Sequence, residues 1–344
     1  MKKTTLTLVL VSLFAATAFA ACPCGTLSVP NSVCTLTQNL ASSGTCFTVA
    51  ANNVTINCNG YTISGPSNYM FYYGVYSNRN YTQVQNCKIN GFGSSVFFVN
   101  ASYGTIQNTS ANSSAIGNND LTGNAIMLSS GSNYNTITNV TALSKSSFGI
   151  FMNSNANHNT VTNAILPSTF SGQSMSIRAN HTIMSNISAP GYTQLAGTNN
   201  ILANSTFLSF YLDPVGVTGN TRNVVYNNVF SSTGSSSIYA LTVLSKGNTL
   251  YWNTFTGSGG YIKDYMPANM NSYNTTINGK SEGNLWGNVL NGSVNVTGSV
   301  ASGYPGMALF VGSGGSGYPY KNTTSLGKIK GKAVDYAPLT PYHN

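Results

Sequence analysis

Thr45 to Gly65 reads TCFTVAANNVTINCNGYTISG, and this stretch decides the fold. Phe47 and Val49 alternate with small or polar residues, Asn52-Asn53 makes a corner, and Val54 and Ile56 resume the alternation. Tyr61 and Ile63 follow a second corner at Asn59-Gly60. Period-two apolar patterning in runs this short, punctuated by Asn-Gly, specifies short strands joined by tight turns.

The phrase returns along the chain. NVTINCN at 53–59 is followed by NYTQVQN at 80–86, NTITN at 135–139, NTVTN at 159–163, NNILAN at 199–204 and NVVYNN at 223–228. One Asn per repeat gives Asn59, Asn86, Asn108, Asn139, Asn163, Asn186, Asn204, Asn227, Asn253 and Asn288, a mean period of about 25 residues. The Leu frame of leucine-rich repeats and the 3.6-residue period of helical repeats are both absent. The expected fold is therefore all-β, a right-handed single-stranded parallel β-helix of about ten rungs, with the rungs stacked about 4.8 Å apart. Asn tolerates the left-handed backbone of a sharp corner, and stacked Asn side chains bond to their own kind, so the Asn column is expected to be a structural ladder. Val54, Ile56, Ile106, Ile137, Val161, Ile183, Ile201, Val224 and Leu250 are expected to face the interior.

Thr45-Cys46-Phe47-Thr48 and Asn53 to Ile63 resemble the first rung of secreted parallel β-helix proteins of the NosD-like (CASH-domain) group, with Asn57 where the usual form has Asp. Gly283-Asn284-Leu285-Trp286 and Asp335-Tyr336-Ala337-Pro338-Leu339 are similar to that group's closing Gly-Asn-x-Trp and Asp-x-x-Pro-Leu phrases. The resemblance covers nearly all of the chain beyond the leader. It implies the fold and no single activity, because this architecture hosts many.

Lys2 and Lys3, the apolar run from Leu6 to Phe14 and the Ala18-Phe19-Ala20 pattern read as a secretory signal peptide over 1–20. Phe19-Ala20-Ala21-Cys22 loosely resembles a lipobox, but Phe19 stands where Leu is preferred, which favours free secretion over a lipid anchor at Cys22. No later stretch is long and apolar enough to span a bilayer. Cys22, Cys24, Cys34, Cys46, Cys58 and Cys87 form an even, clustered set, which in an exported chain points to disulfides, with 15 possible pairings. Residues 21–46 read as a disulfide-rich cap, 47–288 as rungs, and 289–344 as final strands with an irregular closing segment.

Charged residues make up 6% of the chain and hydrophobic ones 41%, enough apolar material to bury a core. The net charge of +9 reflects scarce acids, and the only lysine cluster is Lys328, Lys330 and Lys332, so nucleic acid is not an expected partner. No cofactor or metal site is expected, since no histidine lies near the cysteines.

Polysaccharide hydrolysis needs paired carboxylates, and elimination needs a placed base. The acids number five, Asp120, Asp213, Asp264, Glu282 and Asp335; Asp264 and Glu282 are the one candidate pair, 18 residues apart. The run Tyr69, Phe71, Tyr72, Tyr73 and Tyr76 is expected to pack into the core, with Tyr69, Tyr72, Tyr73 and Tyr76 as glycan-contacting aromatics if the run instead protrudes. Asn100, Asn112 and Asn322 are the expected acceptors should the sequons be glycosylated. The main expectation is an exported cell-surface or extracellular protein of structural or adhesive role, contacting envelope or extracellular polysaccharide and open to self-association through its ends. The alternative is a polysaccharide lyase or hydrolase of the β-helix type.

Overall fold

The computed structural model describes residues 22–67, 69–114, 122–168, 173–213, 220–234, 238–294, 307–309 and 319–341. Residues 1–20, read above as a signal peptide, and Asp120 lie outside them. The chain winds into a parallel β-helix with three faces, in which 29 strands form one hydrogen-bonded system. The first sheet starts at Gly25–Leu27, Phe47–Val49 and Tyr73–Ser77 and ends with Gly260–Asp264 beside Ile329–Gly331. The second runs from Val33–Thr35 through Thr55–Asn57 and Gln83–Gln85 to Thr249–Tyr251. The third runs from Leu40–Ala41 through Thr62–Ser64 to Leu285–Trp286, which pairs with Leu339. Each rung places one short strand on each face, so every backbone bond between rungs is non-local and each rung depends on its neighbours.

The core follows from the register. On the second sheet Ile56, Val84, Ile106, Ile137, Val161, Met184, Leu202, Val225 and Leu250 stack inward, all fully buried. Ile183, Ile201 and Val224 do not belong to this column. Ile183 pairs with Thr160 on the outer row and is 48% exposed, and Ile201 follows it outward. Toward the far end aliphatic stacking gives way to rings, Phe207, Phe230, Phe255, Trp286 and Tyr320, with successive centroids 5.6, 5.3, 4.7 and 4.4 Å apart.

Three disulfides clip the first rungs, pairing Cys22 with Cys34, Cys24 with Cys46 and Cys58 with Cys87. Such bonds persist in oxidising compartments outside the cytosol. Among the described residues no helix is long and apolar enough to cross a membrane.

The corners account for the Asn-rich composition. Asn59, Asn86, Asn108, Asn139, Asn163, Asn186, Asn204 and Asn227 all hold left-handed backbone, φ 50–57°, between the second and third sheets. Asn108 donates to Asn86, Asn139 to Asn108, Asn163 to Asn139 and Asn186 to Asn163 through their amides, at 3.0–3.2 Å. Asn253 and Asn288 sit elsewhere. Trp252 takes the left-handed corner, and Asn253 lies inside it in a buried column with Asn228 and Asn284. Asn288 lies in the short helix Gly287–Leu290, accepting from the Tyr320 hydroxyl and donating to the Ser325 carbonyl.

Candidate functional site

The outward row of the first sheet is where polar chemistry and aromatic rings meet, and Met127, Phe151, Ser176, Gln194 and Thr242 within it are buried outside the main core. Alternation places Tyr76, Phe97, Met127, Phe151, Ser176, Gln194, Tyr211, Thr242, Lys263 and Lys330 in register on successive rungs, pointing away from the core. The early rungs carry rings. Tyr73 and Tyr76 stack at 5.6 Å and both meet Phe97, so these two pack on the outside of the coil while Val75 fills the core; the core packing expected from sequence holds for Tyr72, which packs against the core, and not for them. Tyr69 and Tyr72 lie 5.1 Å apart just before that strand, and Tyr69 is exposed.

The later rungs carry the polar and titratable groups. Asp213 directly follows the strand Thr206–Leu212 and accepts a bond from the Gln194 amide at 2.7 Å, and Ser176 donates to the other end of that amide at 3.1 Å. Tyr192 and Tyr211 lie side by side, 4.7 Å between centroids. The Arg178 guanidinium sits 5.3 Å over the Phe151 ring. Burial, with smaller effects from Asp213 and Tyr211, pushes the Tyr192 hydroxyl up to about 12, against the opposing pull of Arg178. Tyr192 is therefore a neutral proton donor at physiological pH, with a carboxylate and a guanidinium both near enough to act on it. Lys263 continues the row, its ammonium 4.5 Å over Tyr265; the bond to Tyr265 raises its pKa.

The local fold explains why Tyr192 projects here. Eighteen residues separate Asn186 from Asn204, and the strand Ile183–Leu195 crosses all three faces, with a register shift between Ala189 and Tyr192. A Cβ on Gly191 would come within 2.4 Å of the Ser168 Cβ and 2.8 Å of the Ser174 hydroxyl, so only glycine fits the corner. Bulges of this kind redirect the next side chain.

Asp264 and Glu282 do not make an acid–base pair on a groove. Asp264 is buried, accepts from the Tyr273 hydroxyl at 2.7 Å and the Met266 amide at 2.9 Å, and is raised in pKa by burial. Glu282 is buried and accepts from the Trp252 indole at 2.9 Å. Asp335 is buried as well, which leaves Asp213 as the one partly exposed carboxylate among the described residues. Asn100 and Asn322 are exposed at turns, whereas Asn112 lies within the strand Thr105–Ser113 and not in a loop. Among the described residues no three His, Cys, Asp or Glu side chains gather as a metal-binding group.

Sequence reasoning missed the Tyr192 group and one further feature. Tyr81, Tyr103, Tyr134, His158 and His181 all hold left-handed corners between the first and second sheets, with rings stacked at 5.3, 5.1, 4.9 and 4.7 Å. The signal was present in Asn-Tyr-Asn-Thr at 133–136 and Asn-His-Asn-Thr at 157–160, a repeated corner whose middle ring is the left-handed residue. Its rings cover one another and offer edges to solvent, which is poor geometry for stacking on a flat ligand.

No protein-family model matches the chain, and no curated protein matches it. Solved structures do. A DFA-IIIase from Arthrobacter chlorophenolicus without its lid is similar over 69% of this chain and 69% of its own, at 14% identity and a TM-score of 0.51. An alginate lyase from Paenibacillus matches 71% of this chain and 92% of its own, at 14% identity and a TM-score of 0.48. The catalytic domain of a GH87 alpha-1,3-glucanase matches 76% and 59%, at 10% identity and a TM-score of 0.37. The DFA-IIIase likeness shows the shared fold.

Proposed function

We propose that this chain acts on an extracellular polysaccharide along the outer face of its first sheet, with the Tyr192 group as the reacting site. The observation that carries the reading is the bonded set Ser176, Gln194 and Asp213 beside Tyr192, with Arg178 across from them. This is a held carboxylate next to a neutral phenol, the two halves of acid–base catalysis. The same side of the molecule supplies Arg178, Lys263 and Lys330 against Asp213 alone, so the substrate is an anionic glycan. Tyr69, Tyr72, Tyr73 and Tyr76 would hold sugar rings several rungs away, and a face this long suits a polymer.

A second carboxylate for hydrolysis is not at hand among the described residues, which favours elimination. Asp213 takes the proton on the carbon next to the uronate carboxylate, and the bonding pair becomes the new carbon–carbon double bond. The glycosidic carbon–oxygen bond breaks, and Tyr192 gives its proton to the departing oxygen. Arg178 balances the charge that gathers on the uronate. The neighbours described above include proteins named for alginate and alpha-1,3-glucan, which agrees with a polysaccharide substrate. Membership of the NosD-like group rests on the sequence phrases alone.

The test is a panel of anionic and neutral polysaccharides, read for the ultraviolet absorbance of an unsaturated uronate and for new reducing ends. Unsaturated product that disappears in Tyr192→Phe and Asp213→Asn supports the reading. Reducing ends without unsaturation would replace elimination by hydrolysis. Binding without cleavage, unchanged in both variants, would restore the adhesive role. That second reading draws on the burial of Asp264, Glu282 and Asp335 in structural bonds.

A further inference from the structure

The first rung is an open end. Gly25–Leu27 pairs with Phe47–Val49, Val33–Thr35 with Thr55–Asn57 and Leu40–Ala41 with Thr62–Ser64, and among the described residues none has a partner on its other side. The Gly25 amide donates to the Cys46 carbonyl and the Leu27 carbonyl accepts from Ala50, so the backbone groups of Thr26 between them point out of the end. The same alternation points Val33 and Thr35 outward on the second sheet, where the Ser32 carbonyl and the Leu36 amide face the next rung. On the third it points Ala41 outward, since the Ser42 amide is bonded to Ser64.

Soluble proteins blunt such edges with charge, and this one does not. No charged residue occurs between Cys22 and Asn78. The end instead presents an open hollow of about 450 Å³ lined by Pro23, Thr26, Leu27, Val29 and Val33, with Val29 and Val33 64% and 67% exposed. Leu27 and Leu40 point into the coil yet stay partly exposed, since among the described residues no rung lies beneath them. Cys22–Cys34 and Cys24–Cys46 fix this edge in place, so a partner docks without first having to order it.

The opposite end is built differently. Ile329–Gly331 adds a last strand to the first sheet, Met307–Leu309 lies antiparallel to Leu339–Pro341, and Tyr320 covers Trp286. The Lys328 ammonium fastens this cover, donating to the carbonyls of Ser258 and Gly259 at 2.8 Å. A head-to-tail filament would need matching ends, which these are not.

We infer that the open end is an interface for a second copy of this chain, joined end to end about a two-fold axis perpendicular to the rod. A two-fold through the first sheet sets Thr26 of one copy beside Thr26 of the other. It brings the second-sheet edge of each copy to the third-sheet edge of its partner, all antiparallel. The contact is isologous and closes at two. The rod's cross-section is roughly 500 Å² per copy from strand lengths and sheet spacing, about 1,000 Å² in all. That is near the lower bound for a specific complex, so the dimer is expected to be reversible and concentration-dependent.

Sedimentation velocity on the secreted chain, from low micromolar to several hundred micromolar, tests this. The expected result is a mass that doubles with concentration. Thr26→Pro, which removes an outward N–H, and Leu27→Glu, which sets like charges against each other, should weaken the dimer at least tenfold. Both should keep the far-ultraviolet circular dichroism and a monomer mass. Should either fail to fold, Thr26→Cys supplies the readout, giving a covalent dimer on mild oxidation while Thr48→Cys, one rung inward, gives none. A monomer at every concentration would overturn the inference. So would a dimer indifferent to Thr26→Pro and Leu27→Glu and equally cross-linked from Thr48→Cys.

Discussion

Asp335 accepts the indole N–H of Trp286 at 2.9 Å, and on the same oxygen the backbone N–H of Asn284 at 2.8 Å. Its other oxygen takes the Ala337 amide at 2.9 Å, and Leu339 pairs with Leu285 beside it. The closing Gly283-Asn284-Leu285-Trp286 and Asp335 to Leu339 phrases are thus two halves of one lock on the last rungs.

That lock predicts an unusual pH dependence. Burial raises the Asp335 carboxyl from its ordinary 3.8 to about 7, against the pull of its three N–H donors. The folded chain therefore holds this proton more tightly than the unfolded chain. Its contribution to stability is fully present below about pH 4 and is lost as pH rises toward 7, by up to roughly 4 kcal/mol. Denaturant midpoints between pH 4 and 8 should fall with rising pH. In Asp335→Asn that slope should shrink to what the buried Asp264, also raised by burial, contributes, with about 1–3 kcal/mol lost at pH 5 because an amide N–H₂ would meet one of the donors. A flat profile in the parent chain would refute the assignment.

Inside and outside differ by one residue along a strand, on the third sheet at Phe255 as on the second at Ile183-Met184, which gives a paired prediction. Phe255 is fully buried between Phe230 and Trp286, so Phe255→Ala should cost about 3–5 kcal/mol. Ile183 is as apolar but faces solvent, and Ile183→Ala should fall within about 0.5 kcal/mol. Met184→Ala, at the neighbouring position, should cost about 2–5 kcal/mol. Chemical denaturation of the three variants checks the phase.

This comparison also marks how far the sequence could be read. The period, the strand lengths and the Asn corners follow from local pattern, and Ile56, Ile106, Ile137 and Val161 fix their own phase because polar residues flank them. Ile183-Met184, Ile201-Leu202 and Val224-Val225 offer two apolar residues in a row. Only the register with Val161 selects the second of each pair. The candidate site was less legible. Ser176, Gln194 and Tyr211 are 18 and 17 residues apart, well short of the mean repeat, and the next member of the row, Thr242, is 31 further on. Loops of unequal length carry no hint of which residues will share an outer row. Asp264 and Glu282 misled for the converse reason, since nearness in sequence gives no sign that each carboxylate is buried against its own ring partner.

The exposed Asn column should owe its residue type to backbone as much as to bonding. Asn139 holds φ 52°, donates to Asn108 and accepts from Asn163. Asn139→Ala loses both bonds and places a Cβ residue in left-handed backbone, and should cost about 1–3 kcal/mol. Asn139→Gly loses the same bonds without the backbone strain, so it should be the milder change by roughly 1 kcal/mol. Equal losses would mean that bonding alone holds the corner.

Gly191 offers the sharpest link between fold and site. Its missing Cβ is what lets the corner close against Ser168 and Ser174, and its amide donates to the Ser174 hydroxyl at 2.9 Å. Gly191→Ala should cost about 1–3 kcal/mol by overpacking. The shift needed to relieve a 2.4 Å contact moves Tyr192, the next residue, out of line with Asp213 and Arg178. Turnover of an anionic polysaccharide should then fall about a hundredfold, since small misplacement of a reacting group carries that penalty. Tyr192→Phe should lose activity with a smaller change in stability, because only the hydroxyl is removed from a half-buried ring. Measuring kcat and the unfolding midpoint for both variants separates a displaced phenol from an absent one. If Gly191→Ala is destabilised but keeps full turnover, Tyr192 is not the proton donor.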